Sequence, residues 1–255
     1  MWGIIPAAGA GTRIQPLAFS KELLPLCGWT EGNVRRPRAV SDYLVERLVL
    51  GGATRICFVI SPGKSDILEY YGGSAHSVPV CYAVQAKPVG LCDAIFRALP
   101  FIDKHAPVLV GLPDTIWFPE HALSELPDDC LSFLLFPVRR PELFDAVLLD
   151  QQGRVQSIEV KQPSPSSHWV WGAFKMPGIV LEQLHDLWCA RGRTDQYIGT
   201  LLNAWLAQGG VAYGFCKGSS YFDVGTMDGY LEAARILSEL DREAATANQG
   251  AAAAL

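Results

Sequence analysis

Apolar residues in the first half of the chain come in short runs, separated by stretches with helical spacing. Ile4 to Ala8, Arg55 to Ser61, Val80 to Gln85 and Val108 to Leu112 have the length of strands and few polar interruptions, as expected where both faces of a parallel sheet are covered. Between them, Asp42 to Leu50 repeats its apolar positions with a period near 3.6. Ser41 precedes that stretch as a cap and Gly51-Gly52 stops it. Further helices are predicted over Lys64 to Tyr71 and Gly90 to Leu99. This alternation predicts an α/β, doubly wound, Rossmann-like fold with a mixed, mostly parallel sheet flanked by helices.

After Pro113 the pattern changes. Leu131 to Val138 reads as a strand, and Ala146 to Asp150 and Arg154 to Val160 flank Gln151-Gln152-Gly153 as a hairpin, which makes the sheet mixed. A Pro/Ser loop from Gln162 to Ser167 leads to a strand over Trp169 to Phe174. Two helices, short strands near Val211 to Phe215 and Tyr221 to Val224, and a last helix complete the pattern. Trp169 and Trp171 alternate like one face of a strand and are read as core packing ahead of sugar stacking. Residues 244–255 are alanine-rich without an apolar face and are expected to be disordered, leaving one domain over 1–243.

Composition narrows the chemistry. The 255 residues carry 21 basic and 26 acidic side chains, a formal net charge of -5, so no general basic field exists for nucleic acid or an anionic membrane. Any phosphate must be held locally. The opening lacks signal-peptide character and no run reaches bilayer length, so a soluble, cytoplasmic protein is expected. The 7 cysteines are scattered and never paired as Cys-x-x-Cys, and the 5 histidines have no metal-ligand spacing; reduced thiols are expected, with neither a disulfide framework nor a zinc site.

A candidate phosphate-binding segment follows the first strand. In Pro6-Ala7-Ala8-Gly9-Ala10-Gly11-Thr12-Arg13, glycines let backbone N–H groups approach phosphate oxygens, although a tight βα turn would also need glycine for steric reasons alone. Arg13 follows at once, and Ser20-Lys21-Glu22-Leu23-Leu24-Pro25 returns Lys21 beside an apolar anchor. A guanidinium fork and an ammonium point charge suit a triphosphate and its leaving pyrophosphate. The spacing is neither the dinucleotide Gly-x-Gly-x-x-Gly nor the Walker pattern, which argues against a dehydrogenase or a P-loop ATPase.

From Gly9 to Pro25 the chain resembles the sugar-1-phosphate nucleotidyltransferases, particularly glucose-1-phosphate thymidylyltransferases and bacterial UTP-glucose-1-phosphate uridylyltransferases. Their opening reads Gly-x-Gly-Thr-Arg-x-x-Pro and then Lys-x-x-Leu-Pro. The resemblance continues in order through Gln85 with Pro88-Val89-Gly90-Leu91, Gly111-Leu112-Pro113-Asp114, Lys161-Gln162-Pro163 and Phe222-Asp223-Val224-Gly225-Thr226. It implies a fold of the nucleotide-diphospho-sugar transferase type, with a nucleotide-binding half over about 1–115 and a sugar-phosphate-binding half over about 116–243. It also implies transfer of a nucleoside monophosphate from a nucleoside triphosphate to a sugar 1-phosphate, with pyrophosphate released.

Residue by residue, the resemblance makes Arg13 and Lys21 the catalytic cations and Ala8, Gly9, Ala10, Gly11, Thr12, Arg13, Gln85 and Gly90 the nucleotide-binding positions. Asp114 and Asp223 would hold Mg²⁺ and Lys161 the phosphate of the sugar 1-phosphate; Gly172, inside a strand, would let the sugar lie against the backbone, a bulge being the alternative reading. The Gln85 amide donates and accepts together, which suits the imide edge of thymine or uracil and so favours dTTP or UTP. Relatives are often dimers or tetramers, so homo-oligomerisation is expected as well.

Three departures from the pattern stand out, the first two bearing on the acceptor. Val160 stands where the thymidylyltransferases usually have Glu before Lys-Pro, which puts glucose in doubt. Asp195-Gln196-Tyr197 replaces a Glu-x-Glu helix motif. The segment from Cys27 to Ala39 is longer than usual and carries Arg35, Arg36 and Arg38, read as a solvated basic loop, with a lid over the phosphates as the alternative. Two other functions stay open: transfer to a non-sugar phosphorylated alcohol such as phosphocholine, which an aromatic cage would favour, and a catalytically silent, nucleotide-binding regulatory subunit.

Overall fold

The computed structural model describes residues 1–31 and 34–252. Strand β1 (Trp2–Pro6) runs into the irregular glycine-bearing loop. The expected basic loop is mostly strand: β2 (Pro25–Glu31) and β3 (Val34–Ala39) pair as an antiparallel hairpin, residues 32–33 lying outside the described ones. Helix α1 (Val40–Leu50) follows directly, with Ala39 at its cap position. Ser41 is therefore no cap; it lies inside the helix, where its hydroxyl donates to the Glu22 carbonyl at 2.7 Å. A buried backbone acceptor outcompetes local capping here.

Next come β4 (Arg55–Ile60), α2 (Ser65–Tyr71), β5 (Ser74–Ala75), β6 (Val78–Val84), α3 (Leu91–Arg97), β7 (Pro107–Gly111) and β8 (Thr115–Phe118). The second half adds β9 (Leu131–Pro137), β10 (Asp145–Leu149), β11 (Val155–Val160) and β12 (Trp169–Pro177), then α4 (Gly178–Ala190), α5 (Ile198–Ala207), β13 (Ala212–Phe215), β14 (Ser220–Asp223) and α6 (Met227–Ala252). The alanine-rich end continues α6 as helical backbone through Ala252, consistent with alanine's high helix propensity. Residues 253–255 lie outside the described ones. Among the described residues no helix is long and apolar enough to cross a membrane.

The main sheet is mixed and parallel at its centre, with helices on both faces. Strand β1 pairs in parallel with β4 and β7, and β4 with β6. Beyond β7 the strands turn antiparallel through β12, which also pairs β9 and β10. Successive residues of β1 enter opposite cores. Ile4 belongs to the core that also holds Ile95, Leu181, Trp188 and Leu201 of α3, α4 and α5, whereas Ile5 belongs to the core with Leu44, Leu48 and Ile67 of α1 and α2. That two-sided burial explains why the early strands read as unbroken apolar runs.

A small ribbon outside the main sheet sets up the site. Strand β14 pairs antiparallel with β8, placing Asp223 opposite Thr115, and the Val224 amide donates to the Asp114 carbonyl at 2.8 Å. Helix α6 and the β2–β3 hairpin dock beneath this ribbon through Leu26, Tyr43, Ile116, Val224, Ala233 and Leu237. The ribbon meets the carboxyl ends of β1 and β7, where chain order reverses across the sheet and open α/β folds place their ligands.

Candidate active site

The loop after β1 is braced at both ends by buried charge. Lys64, just before α2, donates to the Ala7 carbonyl at 2.7 Å and to both Glu22 carboxylate oxygens at 2.7 and 2.8 Å. Asp66 accepts from the Ser20 amide at 2.6 Å and from its hydroxyl at 2.7 Å. Burial raises the Glu22 pKa, against the pull of Lys64, and lowers that of Lys64, against the pull of Glu22. Between these anchors Gly9, Ala10 and Thr12 are exposed while Ala8 is buried. A side chain at Gly9 would meet nothing within 4 Å, so packing does not require that glycine and space in front of it is free. Gly11 has φ +66°, and a Cβ there would lie 2.8 Å from Cδ of Lys21.

Four charged side chains converge past the loop. Lys21 forms a short ion pair with Asp114, and Arg13 meets Asp223 at 2.7 Å. Burial opposes both charges of the first pair, but their mutual attraction prevails, leaving the Asp114 pKa below and the Lys21 pKa above the usual values. Arg13 is 57% exposed, free on its outer side to meet a ligand. Gly225 shows how closely the carboxylates approach: a Cβ there would lie 2.8 Å from an oxygen of Asp114, 2.8 Å from one of Asp223 and 2.9 Å from Arg13 Nη2.

These groups line a cleft of about 240 Å³ that also includes Gly9, Glu22 and Lys161. A second cleft of about 290 Å³ adjoins it, sharing Leu112, Phe144, Lys161 and Tyr221 and adding Gly90, Asp145, Trp171, Gln196 and Tyr197. Lys161 therefore stands at the junction. Its backbone has φ +48°, and its ammonium donates to the Leu143 carbonyl at 2.9 Å. Of the positions singled out in the sequence, Gly9, Arg13, Lys21, Asp114, Asp223 and Lys161 share the first cleft, and Gly90 joins Lys161 in the second.

Gln85 and Gly172 are placed differently. Gln85 is 3% exposed, and its amide nitrogen donates to the Gly90 carbonyl at 3.0 Å and to Asp93 at 2.9 Å. It braces the turn at Gly90, whose φ of +113° and closeness to the Gln196 backbone leave no room for a Cβ. Gly172 lines neither cleft; it sits at a register irregularity of β12, with rings of Phe136 and Tyr221 each 2.6 Å from where a Cβ would be. Asp195 is buried against Arg191, while Gln196 and Tyr197 face the second cleft. Trp171 is core by burial, at 6% exposed, and also lines that cleft.

Sequence reasoning missed Glu22 and Lys64 as the loop's brace and Asp145, Phe144 and Tyr221 as cleft residues. The available signal was slight: a lysine between a strand end and a helix start, and an aspartate opening a hairpin strand.

Comparison with known proteins identifies the family. The nucleotidyl transferase family model matches residues 2–239. A glucose-1-phosphate thymidylyltransferase of Neisseria meningitidis is 29% identical over 92% of this chain and 81% of its own length, and one of Mycolicibacterium smegmatis is 27% identical over 94% and 83%. Among solved structures, a candidate glucose-1-phosphate thymidylyltransferase of Bacillus anthracis, crystallised with sucrose, superposes with a TM-score of 0.77 at 24% identity, over 92% of this chain and 95% of that one. A UTP-bound UGPase of Acinetobacter baumannii superposes at 0.75 and 20% identity, over 92% of each chain. The family match over nearly the whole sequence, with the sheet and the charged cleft in the same molecule, makes this chain a member of the nucleotidyl transferase family.

Proposed function

We propose that the protein transfers a nucleoside monophosphate from dTTP or UTP to a sugar 1-phosphate, giving a nucleoside diphosphate sugar and pyrophosphate. The observation that carries this reading is the convergence of Arg13, Lys21, Asp114 and Asp223 in one cleft at the end of a glycine-bearing loop. The pyrimidine donor is supported by relatives named thymidylyltransferases and by the UTP held by one structural neighbour. A cytoplasmic setting and Mg²⁺ dependence belong to the same proposal.

The donor set fits Mg²⁺. Oxygens of Asp114 and Asp223 approach one point beside Gly225, and a hard cation prefers such ligands. Phosphate oxygens and water would complete the coordination of such an ion. Asp114 and Asp223 would hold the ion, and when bound it would neutralise charge on the triphosphate.

In the reaction a phosphate oxygen of the sugar 1-phosphate attacks the α-phosphorus. The new P–O bond forms as the α–β P–O bond breaks, and pyrophosphate leaves with the electron pair. Arg13 and Lys21 turn from their carboxylates to the triphosphate oxygens and stabilise the charge of the transition state. Lys161, at the junction, holds the acceptor phosphate in line. Backbone amides of residues 9–12 cradle the β- and γ-phosphates. No nucleophilic side chain is required.

One observation favours a second reading: Phe144, Trp171, Tyr197 and Tyr221 surround the acceptor cleft, and such a lining would also suit the quaternary ammonium of phosphocholine. Pyrophosphate release with dTTP, UTP, CTP, ATP and GTP against sugar 1-phosphates and phosphocholine decides between them. Release that needs both a triphosphate and a sugar 1-phosphate supports the proposal; release only with phosphocholine selects the alternative, and silence despite triphosphate binding rejects both.

A further inference from the structure

Asp145 is the single acidic side chain among the described residues lining the second cleft. It is 9% exposed and opens β10, next to Phe144 and beside the junction lysine. Its Oδ1 accepts the Lys161 backbone N–H at 3.3 Å, while the Lys161 ammonium stands 3.9 Å away, beyond hydrogen-bond reach, and serves Leu143 instead. A buried carboxylate has capacity for about four acceptor contacts; the Lys161 N–H and the neighbouring Trp171 indole N–H draw on part of it, and leaving the rest unused is costly. Burial raises its pKa against the pull of Lys161. Directly across the hairpin, Val160 offers only methyl groups, and these close against Gly199. Of the two facing positions, only Asp145 presents hydrogen-bonding groups to the cleft.

We propose that Asp145 determines acceptor specificity by accepting hydrogen bonds from ring hydroxyls of a hexose whose 1-phosphate lies at Lys161. The inference rests on the reading of the first cleft as the nucleotidyl transfer site. It places sugar recognition at the start of β10, and it requires an acceptor with a hydroxyl facing that strand. An acceptor lacking that hydroxyl would leave the buried carboxylate unsatisfied, which is a strong basis for rejection. The aromatic rings then pack against the ring's carbon faces.

The test uses the full chain with Mg²⁺, dTTP or UTP, and glucose, galactose, mannose and N-acetylglucosamine 1-phosphates. Asp145→Asn keeps an oxygen to accept the Lys161 N–H, so it perturbs the fold little. It should raise KM for the sugar 1-phosphate about 10- to 100-fold, as loss of a charged hydrogen bond does. KM for the triphosphate should stay within about twofold. The second measurement needs no variant that folds differently: singly deoxygenated analogues of the best sugar 1-phosphate, given to the unaltered protein, should lose about 10- to 100-fold in kcat/KM at one or two ring positions. Asp145→Asn should show no further loss at those positions. Equal use of every deoxy analogue by the unaltered protein would overturn the inference, as would activity on phosphocholine alone, while nucleotidyl transfer still stood. No pyrophosphate release with any acceptor would overturn the proposed function, and the inference with it.

Discussion

Arg13 and Asp223 lie 210 positions apart in sequence and meet at 2.7 Å in the first cleft. The contact joins the glycine-bearing loop to the β8–β14 ribbon, and it neutralises a carboxylate in the place where a triphosphate and its cation would sit. On the proposed mechanism Arg13 exchanges this partner for phosphate oxygens. Arg13→Ala should lower kcat about 10²- to 10³-fold, the scale seen when one donor to a developing negative charge is lost. Arg13→Lys should recover only part, because an ammonium cannot make the two-pronged contact. Stability should change by less than about 1 kcal/mol, since the arginine is largely exposed. Arg13→Lys with full kcat would remove the fork from the argument.

Gly225 offers a steric test of the paired carboxylates. A methyl group there would lie 2.8 Å from oxygens of both Asp114 and Asp223, in the space between them. Gly225→Ala should reduce kcat about 10²-fold, the effect of misplacing reacting groups by about 1 Å. Its apparent Mg²⁺ requirement should rise, measured by titrating the metal at fixed triphosphate. Asp114→Asn and Asp223→Asn should each weaken the metal dependence further. Unchanged Mg²⁺ titrations in all three variants would separate these residues from the metal.

Much of the architecture was readable because its determinants are local. Ile4 and Ile5 read as a two-sided strand because both neighbours in sequence are apolar, and the two cores receive them alternately. The positions of Asp114 and Asp223 came from their motifs, but their meeting depends on β8–β14 pairing across more than a hundred residues, which no local pattern encodes. Ser41 looked like a cap because capping is judged from neighbours, whereas the carbonyl of Glu22 claims its hydroxyl from 19 positions away. Gln85 was singled out for its amide, and the structure commits that amide to Gly90 and Asp93. Asp145 was overlooked for the converse reason: at the start of a hairpin strand an aspartate looks like turn chemistry, and only the fold shows the cleft before it.

The Glu22–Lys64 pair should dominate the stability of the phosphate loop. Both side chains are buried, and Lys64 also holds the Ala7 carbonyl. Lys64→Met would leave a carboxylate buried without its partner and should cost about 3–5 kcal/mol in urea unfolding. Glu22→Gln combined with Lys64→Met should regain a large share of that loss, because the uncompensated charge is gone. Catalysis should suffer in both, since the loop loses its anchor at Ala7. If the single and double variants unfold at the same urea concentration, the cost lies in packing and not in the stranded charge.

His76 gives the fold a pH-dependent contact away from the active site. Its Nε2 lies 2.8 Å from Asp42 on α1, with Arg38, Glu46 and Tyr70 around the same recess. Arg38 binds both acids of α1 and lies 4.0 Å above the Tyr43 ring, so the carboxylate that receives His76 is already held in place. The hydrogen bond to Asp42 raises the His76 pKa above its ordinary value, despite burial and the Arg38 charge. Burial alone would raise the Asp42 pKa, and the contacts with His76 and Arg38 bring it below the usual value instead. A histidine with a raised folded pKa contributes its full stability below the unfolded value of about 6.5 and loses it as pH rises through the folded value. Asp42, with a lowered pKa, contributes above about 3.9 and loses its share as pH falls through its own folded value. The pair is therefore strongest between those limits. His76→Gln should lower stability by up to about 1 kcal/mol near pH 5.5 and by less near pH 8.5, the scale of a partly exposed ion pair. Urea unfolding of both proteins at the two pH values measures this, and an equal difference at both would show that His76 contributes no charge to the contact.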